Sequence, residues 1–102
     1  MIGLNLPPMQ FVKNLQFTRL YKVDGYLKEF NFRKSNTRPD GRCSVDTIDA
    51  RGNRIMFFLE RAESGWKILP QKELPLWITA QEVHLQQAIE EVLQGQNEAI
   101  DV

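Results

Sequence analysis

Hydrophobic and polar residues alternate along most of the first two thirds of the chain, as they do in β-strands that bury one face. Segments rich in Gly, Pro, Asn and Asp separate the alternating stretches. Asp24-Gly25 is a strong hairpin signal, because both central positions of such a turn take positive φ. Short turns between strands favour an antiparallel meander. The predicted strands are about 15–23, 26–35, 43–50, 54–61 and 66–70.

The fourth predicted strand, RIMFFLER at 54–61, has no polar face. Ile55, Phe57 and Leu59 alternate with Met56 and Phe58, so large apolar side chains point to both sides of the strand. A helix on one face of the sheet would leave Met56 and Phe58 on the other. We therefore expect a second cover over these two side chains.

The last third of the chain has apolar residues three and four positions apart, which predicts one amphipathic helix. Thr79 and Glu82 have the spacing of a capping box, so the helix is expected to begin at Thr79. Ile78 and Val83 flank this cap with the spacing of a hydrophobic staple. Gly95 is expected to end the helix as a left-handed cap.

The predicted fold class is α+β, with an antiparallel meander of four to five strands and one C-terminal helix packed on one face. The single domain is expected to span 15–95, between an apolar N-terminal arm at 1–14 and a frayed tail at 96–102. Pro70 and Pro75 predict an extended connector before the helix. The residues expected beneath the helix are Phe30, Phe32, Val45, Phe57 and Trp66.

Composition limits the class of protein. A chain of 102 residues with 42% hydrophobic and 25% charged residues has the size and composition of one soluble globular domain. No apolar run approaches the ~20 residues of a membrane-spanning helix, so no membrane partner is expected. Cys43 is the only cysteine, which excludes an internal disulfide and favours a reducing, cytoplasmic location.

Charge is neutral in total but unevenly distributed. All 13 bases lie between Lys13 and Lys72, together with seven acids, whereas the stretch from Glu73 to Val102 has six acids and no base. The acidic segment can fold against the basic part, or the basic part can form a surface for an anionic partner. The neutral total favours the first interpretation.

A single-stranded nucleic-acid surface is the alternative that the basic part raises, because such surfaces combine bases with stacking aromatics. Tyr26, Phe30, Phe32 and Phe58 lie on the predicted strands. The order of four strands and a helix, over about 15–95, resembles in topology alone the unit of the Whirly and purine-rich-element-binding families of single-strand binders. We favour the interpretation that these aromatics form the core. The candidate nucleic-acid residues are Lys28, Arg33, Lys34, Arg42, Arg51 and Arg54.

Candidate catalytic residues are few. His84 is the only histidine and lies one position off the apolar stripe, so it is expected at the solvent boundary. Cys43 is expected as a small buried hydrophobe. Asp46 and Asp49 are three apart on a strand and are therefore expected on opposite faces. We expect no enzyme activity, metal site or cofactor.

The sequence therefore predicts a non-catalytic binding module that self-associates through its second sheet face. A two-fold homodimer is expected, with another protein as a possible partner in its place. A small apolar ligand held in a curved sheet is a weaker alternative. The expected interface residues are Met56 and Phe58, with Leu4, Leu6 and Phe11 of the arm at the rim.

Overall fold

The computed structural model describes residues 14–35 and 42–100, which form an antiparallel sheet and a C-terminal helix. The predicted α+β class is thereby confirmed, with five strands and one additional short helix. Residues 1–13 of the expected N-terminal arm, including Leu4, Leu6 and Phe11, lie outside the described residues, whereas Asn14 begins β1. The elements are β1 (Asn14–Val23), β2 (Tyr26–Ser35), β3 (Cys43–Ile48), β4 (Arg54–Ala62), β5 (Gly65–Ile68), α1 (Leu76–Thr79) and α2 (Glu82–Ile100).

The sheet is a meander in which each strand pairs with its neighbour in the chain, in the order β1-β2-β3-β4-β5. The β1–β2 hairpin closes with Val23 opposite Tyr26. Asp24 and Gly25 have φ values of 51° and 84°, as the two-residue hairpin turn requires. The Asp-Gly prediction is confirmed, and the turn fixes the register of the longest strand pair.

The hydrophobic core lies between the sheet and α2. All five side chains expected beneath the helix are at most 2% exposed, so the predicted facing is confirmed. Cys43 is also fully buried, as expected. The helix contributes Leu85, Ala88 and Ile89 to the same cluster.

The pairing register assigns every other strand residue to the opposite surface, because residues directly opposite each other in an antiparallel pair share a face. We call this surface, away from α2, the open face. Met56 and Phe58 belong to it, opposite Asp46 and Ser44 respectively. The open face also includes Thr18, Leu20, Lys22, Leu27, Glu29, Asn31, Arg33, Ile48, Arg54, Glu60 and Lys67.

The predicted start of the long helix at Thr79 is wrong. Thr79 ends α1, and its hydroxyl donates to the Leu76 carbonyl at 3.1 Å instead of capping a following turn. Glu82 does not reach back either; its Oε2 accepts the Ile68 backbone N–H at 2.8 Å. Ile78 is fully buried whereas Val83 is 60% exposed, so no staple forms. Burial of Ile78 in the core fixes α1 before α2 begins.

The expected extended connector is also partly wrong, because α1 follows directly on Pro75. Pro75 is the N-cap of α1, and its carbonyl accepts the N–H groups of Ile78 and Thr79. A proline constrains the residue before it, but at a helix start its missing N–H is not needed. Pro75 therefore begins a helical turn that the sequence interpretation excluded.

Gly95 does not end the long helix. The helix continues to Ile100, so residues 96–100 of the expected frayed tail have helical backbone. A Cβ added at Gly95 would meet nothing within 4 Å. Gly within a helix costs about 1 kcal/mol relative to Ala, a penalty that a 19-residue helix tolerates.

Candidate interaction surface

The open face presents four aliphatic side chains to solvent. Leu20, Leu27, Ile48 and Met56 are 57%, 65%, 55% and 42% exposed. Leu20 and Leu27 are diagonal neighbours across β1 and β2, as are Ile48 and Met56 across β3 and β4, a spacing within reach of long side chains. Leu27 and Ile48 also line one depression of about 250 Å³. The four residues therefore form one apolar band across the sheet, which we call the aliphatic band.

Phe58 lies beside this band and is half-buried. The Arg42 guanidinium lies 5.8 Å from the centre of its ring and donates to Glu60 Oε2 at 3.3 Å. Arg42 thus covers part of the Phe58 ring, whereas the cover expected from the sequence, by the arm and a second copy, stays a prediction. Met56 remains exposed, since α2 packs on the opposite surface.

A chain of polar contacts crosses the open face beside the aliphatic band. Thr18 Oγ1 donates to Asn31 Oδ1 at 2.8 Å, and Asn31 Nδ2 donates to Asp46 Oδ1 at 3.1 Å. Arg54 Nη2 donates to the second Asp46 oxygen at 2.8 Å. The chain ties β1, β2, β3 and β4 together through one carboxylate.

The Asp46 carboxyl has a lowered pKa. Burial by itself raises the pKa, but the hydrogen bonds from Arg54 and Asn31, with the charges of Arg54 and Arg33, outweigh it. Asp46 is therefore an ionised structural acceptor. Asp49, which the sequence placed on the opposite face, instead lies beyond the strand end and binds the N–H groups of Arg51 and Asn53.

The six bases of the nucleic-acid alternative do not share one surface. Arg33, Arg42 and Arg54 lie on the open face, where Arg42 and Arg54 pair with Glu60 and Asp46. Lys28 and Lys34 lie on the strand positions that face α2, and Arg51 lies in the β3–β4 turn.

The aromatic residues of that alternative are also divided. Phe30 and Phe32 are buried in the core, as the favoured interpretation of the sequence expected. Tyr26 is 75% exposed but belongs to the positions facing α2. Phe58 alone of the four lies on the open face, so the described residues contain no continuous stacking platform beside the bases.

The acidic C-terminal segment contacts the basic part at the β1 edge. Oε1 of Glu91 on α2 lies 3.9 Å from Nη2 of Arg19 on β1. The acidic segment therefore does pack beside a basic residue of the sheet. Glu90 and Glu91 nevertheless remain exposed, and pairs with this exposure contribute little. Glu90 and Glu91 therefore add exposed negative charge to α2.

The candidate catalytic residues are not brought together. His84 is exposed, with Nδ1 2.8 Å from Gln81 Oε1 and its ring stacked on Tyr21 at 5.3 Å. Burial raises the pKa of the Cys43 thiol to about 11, which leaves it a poor nucleophile. Within 14–35 and 42–100, no three His, Cys, Asp or Glu residues form a group that could hold a metal ion. No helix of that part of the chain is both long and apolar enough to cross a membrane.

A cleft that the sequence interpretation missed lies at the end of the sheet beneath α1. It has a volume of about 510 Å³. Its position depends on α1, which was expected as extended connector, so no local pattern predicted it. The one available signal was the Asp24-Gly25 turn, which necessarily places Val23 beside Tyr26. The residues lining the cleft are Val23, Asp24, Tyr26, Lys28, Ala50 and Trp77.

No protein-family model, curated protein or solved structure matches this chain. The surfaces just described are thus the basis on which its function is inferred.

Proposed function

We propose that the protein is a non-catalytic interaction module that forms a two-fold homodimer through the open face. The aliphatic band carries this proposal. Four large aliphatic side chains on one sheet surface, each at least 42% exposed, make an exposed apolar patch of the kind that marks protein interaction sites. The exposed patch and the buried core lie on opposite sides of the same strands.

Burial of the aliphatic band supplies a driving force for association. Complete burial of one such side chain contributes about 1.5–3 kcal/mol. Leu20, Leu27, Ile48 and Met56 are already partly covered, so each would contribute less. Summed over both copies, several kcal/mol remain to offset the cost of association, which fits a dimer of moderate affinity.

The charges on the open face favour a second copy as the partner. Glu29 lies among the aliphatic residues, opposite Leu20, whereas Lys22 lies opposite Leu27. Arg33 lies two alternate positions beyond Glu29 along β2, with Asn31 between them. In a two-fold dimer the same patch of each copy forms the interface, and the two patches meet in reversed orientation. Acids and bases of the two copies can then face one another, whereas a partner of a single charge would meet like charge somewhere on this surface.

The nucleic-acid alternative has weaker support. Arg42 and Arg54 are paired with carboxylates, and Phe30 and Phe32 are buried. Stacking and phosphate contacts on one surface are what such binding needs. We also propose a reducing, cytoplasmic location, because the chain has a single cysteine and that cysteine is buried.

Met56→Glu tests the proposed interface. Met56 is exposed, so a carboxylate there should leave the fold intact while placing an unpaired charge against the apolar surface of the partner copy. We expect wild-type chain to sediment as a dimer in the micromolar range and Met56→Glu to sediment as a folded monomer. Sedimentation velocity gives the oligomeric state, and circular dichroism confirms the fold.

Val83→Glu is the matched control. Val83 is 60% exposed, but it lies on α2, so the same substitution should leave the dimer unchanged. A wild-type chain that stays monomeric through the micromolar range would overturn the proposal. A Met56→Glu dimer as stable as the wild type would do the same for this interface.

A further inference from the structure

The cleft beneath α1 has two aromatic side chains in its lining. Trp77 is half-buried, and its ring meets the buried Phe30 ring edge-on at 6.3 Å, so one wall is held against the core. Tyr26 is 75% exposed and follows directly on the β1–β2 turn. Val23 and Ala50 complete an apolar lining. Pockets of about 300–1,000 Å³ with mainly apolar walls are typical of small-molecule sites.

Lys28 is the cation of this cleft, and its side chain is held in place. Its Nζ donates to the Ile48 carbonyl at 3.1 Å and lies 5.1 Å from the centre of the Trp77 ring. An ammonium group has three N–H donors, so this bond leaves donors for a ligand. An ammonium group that is already held in position loses little side-chain entropy when an anion binds.

Asp24 is the acid among the lining residues, and its exposure differs from that of Lys28. Asp24 is exposed on the turn, whereas Lys28 is half-buried. Water and salt screen the charge of an exposed carboxylate more effectively than a charge held against a carbonyl and an aromatic ring, as that of Lys28 is. A bound anion should therefore be attracted by Lys28 more strongly than it is repelled by Asp24.

We propose that this cleft binds a planar aromatic carboxylate, with its ring system between the Tyr26 and Trp77 side chains and its carboxylate on Lys28. The aromatic residues favour a flat apolar body. Lys28 is the one base in the lining, which matches a singly charged group better than a phosphate. The cleft lies on the α2 side of the sheet, whereas the proposed dimer uses the side chains of the open face. Lys28 is the one residue that borders both the cleft and the depression beside Leu27 and Ile48.

Titration of the full chain with 2-naphthoate tests the site, with neutral 2-naphthamide as the comparison. Of the two tryptophans, Trp77 lines the cleft and Trp66 is buried in the core. We expect the Trp77 indole N–H resonance to shift on binding while the Trp66 resonance stays in place. A charge-assisted hydrogen bond should make the carboxylate bind about tenfold more tightly than the amide.

Three variants separate the contribution of the aromatic wall to binding from that of the charges. Tyr26→Ala should weaken both compounds, whereas Lys28→Met should remove the preference for the carboxylate. Asp24→Asn should strengthen naphthoate alone, and Asn accepts the positive φ of this turn. If Lys28→Met fails to fold, the effect of Asp24→Asn still tests the charge argument.

Two results would overturn the proposal. One is a Trp77 resonance that does not respond to saturating 2-naphthoate. The other is equal affinity of the wild type for the carboxylate and the amide. Either result leaves the open-face dimer untouched, and a monomeric wild type would leave the cleft proposal untouched.

Discussion

Asp46 shows how one residue can organise a sheet surface. Its side chain is only 13% exposed, and it accepts hydrogen bonds from Asn31 on β2 and Arg54 on β4. The sequence interpretation only placed it on the opposite face from Asp49. In the structure it is the centre of the polar chain across the open face, so its role is to hold strands together.

Asp46 should make the fold sensitive to acid. Its pKa is lowered in the folded protein, so its contribution to stability is present above its unfolded pKa of about 3.9. That contribution is lost as pH falls through that value toward the folded pKa. We expect Asp46→Asn to be about 1 kcal/mol less stable than wild type at neutral pH, discounted for the exposure of Arg54.

Urea unfolding measured from neutral to strongly acidic pH checks this expectation, with Glu29→Gln as the control on the same face. The curves of wild type and Asp46→Asn should converge at low pH. Glu29→Gln should instead run parallel to wild type. A constant difference between wild type and Asp46→Asn at all pH values would contradict the assigned role.

At the scale of elements, the helix start shows how packing overrides a local signal. The Thr79–Glu82 spacing fits a capping box, but burial of Ile78 places Thr79 inside α1. Glu82 then lies close enough to bind the Ile68 N–H of β5. A motif expected to act within one helix therefore links the helix to the sheet edge.

Substitution of the two residues should separate these roles. Thr79→Ala should change the free energy of unfolding by a few tenths of a kcal/mol, because an exposed hydroxyl bonded within its own turn contributes little. Glu82→Ala should cost about 1.5–3 kcal/mol, because it leaves a part-buried N–H without its charged acceptor. Chemical denaturation measures both, and a larger loss for Thr79→Ala would support the capping box instead.

At the scale of the whole molecule, the residues that the structure describes cover one face of the sheet with α2 and leave the other face largely exposed. Four connections between consecutive strands place all five strands in chain order, and a single long helix packs on one side. Cys43 lies on the covered side and is fully buried. Access to its thiol therefore reports on opening of the core.

We expect Cys43 to resist a thiol reagent in the folded protein. Burial raises its pKa to about 11, so the thiolate is scarce at neutral pH, and the reagent has no path to it. Modification by Ellman's reagent should follow unfolding and speed up as urea is added. Rapid reaction in the absence of urea would show that the sheet and α2 separate easily. The rate at which the reagent modifies Cys43 in fully denatured protein is the reference for an unprotected thiol.

The sequence by itself determined the strands, the β1–β2 turn and the side of the sheet that α2 covers. These features depend on neighbouring residues: a period of two assigns Phe57 and Met56 to opposite faces, and Asp24-Gly25 accepts the positive φ that its turn needs. Each is a property of a short segment that holds wherever the segment lies. The segment RIMFFLER, which has apolar residues on both faces, likewise indicated a second apolar surface.

The tertiary structure decided where the helix begins and which surfaces could bind a partner or a ligand. Pro75 starts α1 because Ile78 reaches the core, and Trp77 and Lys28, 49 positions apart in the chain, meet in one cleft because α1 covers the end of β2. The polar chain through Asp46 depends on the register of four strands. Such juxtapositions arise from long-range packing, which a local pattern of residues does not specify.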